Sequence, residues 1–250
     1  MITLHKTLFS AAALGLAAAS AHASFLVTYE APGVANSTSG FTYHGVETFD
    51  TRTVGTNQTF TTDFGTSGGT TTITGTYQSV QILPADQWGG AGNTGNYAVA
   101  FGASPYELTL AAQDSSSNPV PVTYFGYWLS ALDNGNQVEF YRGSSLLFSF
   151  DPAQVLALTG NCPSSPYCGN PATGANASQP YVFLNFYDQS GLGFDRVRFL
   201  ESPAVGGYES DNHTVGYYEN TSGTPIPEPA SLALVGLALG GLAVSRRRKA

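Results

Sequence analysis

Between Lys6 and the final cluster at 246–249 the chain has no lysine and only four arginines: Arg52, Arg142, Arg196 and Arg198. The whole chain sets nine Lys and Arg against 17 Asp and Glu, for a net charge of −8. Taken from Ser24 to Pro227, four arginines face 16 acidic residues, a net of −12. Such a domain does not draw nucleic acid or anionic lipid by charge. It suits solubility, cations or neutral partners such as sugars. Cysteine is as scarce. Cys162 and Cys168 are the only two, so a cysteine zinc site lacks its further ligands, and in an exported chain the pair reads as one disulfide closing a local loop. Two of the four histidines, His44 and His213, lie away from the N-terminal segment. No Gly-x-Ser-x-Gly or His-Glu-x-x-His occurs, and no positive sign of a Ser-His-Asp triad is present. Helical patterning is confined to the two ends and to Pro152–Leu158. There is no internal repeat.

Aromatic residues are plentiful, at 12%, which argues against disorder. Residues 24–224 are long enough to bury one β core. Phe25–Glu30 reads as a first strand, ended by Pro32-Gly33. Thr51–Thr76 holds twelve threonines broken by glycines, which predicts weakly paired edge strands and turns. Gly75–Leu83, Tyr97–Phe101 and Tyr106–Ala111 follow as strands. Trp88–Gly95 lacks phosphate-loop spacing and is expected to be a flexible surface connection. Asp133-Asn134-Gly135-Asn136 between two apolar runs predicts a hairpin from Tyr124–Leu132 to Val138–Tyr141. Arg142-Gly143-Ser144 turns the chain again into Ser145–Phe150. Tyr181–Phe186, Asp195–Leu200 and Gly206–Tyr218 complete an antiparallel, jelly-roll-like β-sandwich.

The two ends carry addresses. Lys6, the apolar run Leu8–Ala19 and Ala21-His22-Ala23 form a secretory signal with expected cleavage before Ser24. At the other end Pro227-Glu228-Pro229 precedes an uncharged 15-residue run, Ala230–Val244, and then Arg246, Arg247, Arg248 and Lys249. The run is short for a permanent span. The basic cluster is expected to stay on the cytoplasmic side, and the two prolines stop a helix from extending outward. This three-part tail resembles the PEP-CTERM sorting signal of exosortase-processed bacterial surface proteins. The resemblance implies that Pro227, Glu228 and Pro229 are recognition residues, that signal peptidase and exosortase process the chain, and that its C-terminal helix inserts transiently into the inner membrane of a Gram-negative-type bacterium. It also implies a final place at the cell surface or outside the cell. The expected division is 1–23 signal peptide, 24–224 β-sandwich and 225–250 sorting signal.

Three features of the exposed domain invite a chemical reading. The oxygen-rich Asp133–Gln137 turn would hold calcium only with a fuller acidic loop than it has. Glu209, Asp211 and Asn212, with Glu30 on the first strand, resemble the place where jelly-roll carbohydrate-binding modules hold a structural calcium. Glu209 and Asp211 also share one strand face, as paired-carboxylate hydrolysis of a polysaccharide would use, although a laminarinase-type pattern needs an acid where this chain has His213. Among Trp88, Tyr97, Trp128, Tyr167, Tyr217 and Tyr218, Trp88 in its glycine-rich loop is the expected exposed sugar contact; core packing is the commoner fate of aromatics. Thr71, Thr72, Ile73 and Thr74 do not make the long regular array of an ice-binding face. The expectation is therefore a non-catalytic surface or matrix protein, adhesive or structural within extracellular polysaccharide. A calcium-stabilised carbohydrate-binding module is the alternative, and a polysaccharide hydrolase a third.

Overall fold

The computed structural model describes residues 25–102, 104–132, 135–203 and 206–227. The signal segment, Glu228, Pro229, the apolar run and the basic cluster lie outside the described residues. Among the described residues no helix is long and apolar enough to cross a membrane.

Thirteen strands run in chain order: β1 (Phe25–Tyr29), β2 (Gly40–Glu47), β3 (Gly55–Thr62), β4 (Thr71–Pro84), β5 (Asn96–Phe101), β6 (Tyr106–Asp114), β7 (Tyr124–Leu129), β8 (Asn136–Arg142), β9 (Ser145–Phe150), β10 (Val182–Asp188), β11 (Arg196–Glu201), β12 (Gly207–Asn220) and β13 (Thr224–Pro225). Among the described residues the one α-helix, α1 (Ala153–Thr159), matches the expected Pro152–Leu158. All pairings are antiparallel. A front sheet runs β13-β1-β10-β7-β12-β2 and a back sheet β9-β8-β11-β6-β4-β3. β5 pairs with β12 on one side and β4 on the other, so hydrogen bonding continues around the corner from one sheet to the next. The expected sandwich is therefore present, curled into one continuous sheet.

The inner faces meet through aromatic rings. Phe186 of β10 lies 5.0 Å from Phe140 of β8, and Tyr127 of β7 lies 5.3 Å from Phe199 of β11. Each such pair adds about 0.5–1.5 kcal/mol beyond the area it buries. The sheets differ outside. β7 and β10 are buried at every residue, because loops cover the outer face of the front sheet. Trp128, Phe183 and Tyr181 pack there with Ala35 and Ala91. β6 and β11 instead alternate buried and exposed residues, the pattern of a sheet with one wet face. On that wet face Arg198 pairs with Glu107 at 3.6 Å and Glu139 at 3.3 Å, and Arg196 with Glu107 at 3.4 Å.

Two expectations need correction. The turn at Gly135 does not close a hairpin: β7 pairs with β10 and β12, whereas β8 pairs with β11 and β9. The chain crosses between sheets there. An Asn-Gly cue reports a local reversal, but β7 is apolar on both faces and takes a doubly covered central position that half-exposed β8 does not share. The second turn does close its hairpin, with Gly143 at φ +56° between β8 and β9. The glycine-rich loop at 88–95 is a packed cover, not a loose connection. Gly89 and Gly90 are buried, and a Cβ on Gly89 would stand 2.2 Å from the Tyr97 ring. The Thr-rich stretch behaves as expected at β3, which among the described residues pairs with β4 alone, while Thr71–Thr76 opens the long strand β4 and pairs with β6.

Candidate functional site

Glu30 follows β1 and is buried beneath the outer loops. Its carboxylate accepts the Thr38 amide and hydroxyl at 3.2 and 3.0 Å, Asn185 Nδ2 at 3.1 Å and the Ser222 hydroxyl at 2.5 Å. Tyr124 donates to Asn185 Oδ1 at 2.5 Å, which ties β7 into the same network. Asp211 is built into a different set of contacts. Its Oδ2 accepts the Ala91 amide at 2.7 Å and its Oδ1 accepts the Asn212 amide at 2.7 Å. Burial nevertheless pushes its pKa up to about 7. Asn212 donates to Ala35 O at 2.8 Å and Asn36 Oδ1 at 3.1 Å. Glu209 lies opposite Val99 of β5; burial raises the pKa values of Tyr97 and Tyr181, and the charge of Glu209 adds to it.

The four residues thus divide among separate contacts. Among the described residues no group of three or more His, Cys, Asp or Glu is arranged to hold a metal ion. Glu209 and Asp211 are both buried, with Asp211 lying under the loop that carries Ala91.

On the inner side of β12, a bulge between Asp211 and Thr214 interrupts the alternation, with Asn212 at φ +49°. Ser210 and His213 consequently both enter the core. His213 Nε2 lies 3.0 Å from Ser210 Oγ and Nδ1 lies 2.9 Å from Tyr77 Oη. Tyr106 Oη completes the chain at 2.7 Å from Ser210. The imidazole stacks on Phe199, and burial pushes its pKa down to about 3. A serine and histidine stand within proton-transfer distance, yet both are fully buried. Their arrangement serves as a neutral hydrogen-bonded tie between the sheets.

The disulfide joins Cys162 to Cys168 as expected. It staples the long connection between α1 and β10, which then reaches over the front sheet. Tyr167 donates to Glu30 O at 3.0 Å and Tyr181 to Gln87 O at 2.5 Å. Trp88 stands at the tip of the turn held by Asp86, whose Oδ1 accepts the Trp88 and Gly89 amides at 2.9 and 3.0 Å. It is 46% exposed, as its setting suggested, whereas Tyr97 and Trp128 are buried.

A concavity lies elsewhere among the described residues. A cleft of about 410 Å³ is lined by Thr56, Asn57, Ser79, Gln81, Val99, Phe101, Ser104 and Pro105. None of these eight is charged. Two bulges build it. β3 carries one extra residue between Gly55 and Gln58, and β4 carries one between Tyr77 and Val80. Asn57 at φ +52° and Ser79 at φ +61° are the residues held in the left-handed region. The bulge in β4 switches the inward set from Ile73 and Tyr77 to Val80 and Ile82. It also leaves Ser79 exposed beside Phe101. Sequence reading passed over this cleft. Asn57 carries a faint signal, since Asn tolerates positive φ, but Ser79 in a continuous strand pattern carries none.

The sorting motif leaves from the front edge of the sandwich. β13 pairs with β1, the Ile226 amide donates to Val27 O at 2.9 Å, and Ile226 packs on the core. Pro227, the one described residue of the motif, follows immediately and is exposed. β1 itself begins at Phe25, so the described chain begins and ends in one strand pair.

Residues 225–249 match the family model described as the PEP-CTERM protein-sorting motif. The tail therefore marks an exported bacterial protein sorted by exosortase-type machinery to the cell surface or extracellular space. No curated protein matches the chain. Among solved structures it is similar to the K2 cleaved adhesin domain of Lys-gingipain, with 16% identity, 69% of this chain and 97% of that chain covered, and a TM-score of 0.38.

Proposed function

We propose that the chain is a non-catalytic surface protein, adhesive or structural within extracellular polysaccharide. Signal peptidase would release residues 24–250, and the tail would hold the chain in the inner membrane of a Gram-negative-type cell until exosortase removes it. The observation that carries this reading is the sorting motif following directly on a closed sandwich. Only Pro227 and Ile226 separate Glu228 from the paired strand β13, so the folded domain is itself the delivered cargo. The chemistry of that domain supports a binding role. Its buried acids and its Ser210–His213 pair are engaged internally, whereas its open cleft is neutral. A strongly acidic domain with a neutral cleft suits an uncharged polymer better than an anionic one.

The test is expression of the full chain in an exosortase-bearing bacterium and in a derivative lacking the exosortase. Mass spectrometry should find protein without its basic tail in the polysaccharide fraction of the first, and an intact tail in the membranes of the second. An intact tail in both strains would overturn the sorting step. Sugar release from the matrix polymer by the purified protein would overturn the non-catalytic role.

A further inference from the structure

We infer that the cleft between β3, β4 and β5 is a binding subsite for a neutral hexose polymer, with the Phe101 ring as its platform. This rests on the proposed association with polysaccharide and names the site responsible. Phe101 is 43% exposed at the end of β5, where burial would be the usual fate of its ring. Around it stand two amides, Asn57 and Gln81, and three hydroxyls, Thr56, Ser79 and Ser104. Among the described residues no side-chain hydrogen bond engages Asn57, Ser79 or Gln81. Their donors and acceptors face a concavity, unspent, beside an aromatic surface. Sugar rings present that same combination: hydroxyls that both donate and accept around an edge, and an apolar face of C–H bonds. A volume of about 410 Å³ falls in the range of small-molecule sites.

Charge selects the class further. No lining residue is charged, and two acids border the cleft from behind. Glu201 Oε2 accepts the Gly102 amide at 3.1 Å, next to Phe101. Glu209 lies on the adjacent strand, across from Val99. Acidic polymers would meet that negative border with no cation among the lining residues. The backbone is also specialised here. Two non-glycine residues at positive φ, one on each strand, flank the Gln58–Val80 pair, and bulges and strain of this kind are enriched beside functional sites.

The test uses the protein purified in processed form from its exosortase-bearing host. Affinity electrophoresis through gels containing dextran, a linear β-glucan or galactomannan is compared with gels containing alginate. Retardation is expected in at least one neutral polymer and not in alginate. Phe101→Ala should weaken it about tenfold or more, the usual cost of removing an aromatic anchor. Gln81→Leu should weaken it severalfold, and Leu192→Ala, in the exposed loop before β11, should leave it unchanged. Both Phe101 and Leu192 are exposed, so unfolding midpoints of the variants should match the parent and separate lost binding from lost fold. Binding that survives Phe101→Ala would sink the subsite while leaving the association with polysaccharide standing. No retardation in any neutral polymer would remove both. Equal retardation in alginate would overturn the selection for uncharged sugars.

Discussion

The front sheet separates two buried polar networks that solve the same problem in opposite ways. On its inner face His213, Ser210, Tyr77 and Tyr106 form a chain of neutral groups sealed by aromatic rings. On its outer face the carboxylates of Glu30 and Asp211 are enclosed by loops that supply N–H and O–H donors. The inner network is held by the sandwich itself. The outer one is held by segments with no regular structure, stapled at Cys162–Cys168. The difference explains why residues with catalytic potential carry no visible opening to solvent: on one face they tie sheet to sheet, and on the other they tie loops to sheet. Exposed polar groups with no such duty gather at the third place, the cleft beside Phe101.

The hardest blow to this contrast would fall on the outer network. Asn185 donates to Glu30 and to Thr28 Oγ1 at 3.0 Å, and accepts from Tyr124. Asn185→Leu takes one donor from Glu30 and one from Thr28 and removes the acceptor of the buried Tyr124 hydroxyl, and should cost roughly 3 kcal/mol in urea unfolding. A loss below about 1 kcal/mol would mean the loops readily release Glu30 to water. His213→Gln comes next. It keeps a polar side chain but cannot span both Tyr77 and Ser210, so a loss of about 1–3 kcal/mol is expected.

Acid titration sharpens the comparison because the two networks respond with opposite sign. His213 has a folded pKa of about 3 against an ordinary value of 6.5. The unfolded chain binds the extra proton between those values, so this group makes stability fall as pH drops through the window. Asp211 has a folded pKa of about 7 against 3.8. The folded chain binds the extra proton there, so its contribution is present below pH 3.8 and is lost as pH rises toward 7. The two slopes oppose each other between about pH 4 and 6.5. In His213→Gln the dependence left by Asp211 should show stability declining with rising pH, and in Asp211→Asn the reverse. Urea midpoints at three pH values would decide. Parallel curves in the two variants would show that the networks are not independently buried.

Much of the sandwich was legible in sequence, for physical reasons that also mark where legibility stopped. Phe25–Tyr29, Tyr106–Asp114 and Arg196–Glu201 lie in strands whose pattern is local. The disulfide followed from having two cysteines and one possible pairing. The partner of β7 was not local: six buried residues demand cover on both faces, yet nothing in Asn134-Gly135 says which sheet the next strand joins. Asn212, Asn57 and Ser79 could not be placed for another reason. A bulge is set by the register of two strands, so its extra residue appears only once the pairing is known. Glu209 and Asp211 do share a strand, as their spacing suggested. Their burial comes from the loop at 85–95, which glycine content had marked as mobile.

The smallest expected effect belongs at the edge where the front sheet ends. β13 contributes two residues, and Ile226 adds one hydrogen bond to Val27 and a half-buried side chain. Ile226→Asp should therefore cost about 1 kcal/mol, a fraction of the value for full burial of an isoleucine. Tail removal, read by mass spectrometry in the exosortase-bearing host, should continue, because the motif begins only at the next residue, Pro227, which is exposed. A loss as large as that of Asn185→Leu would place β13 within the same cooperative unit as the outer network. The segment leading to the sorting motif would then be a structural strand of the domain, and the cut beyond it would be made on a chain already locked at its edge.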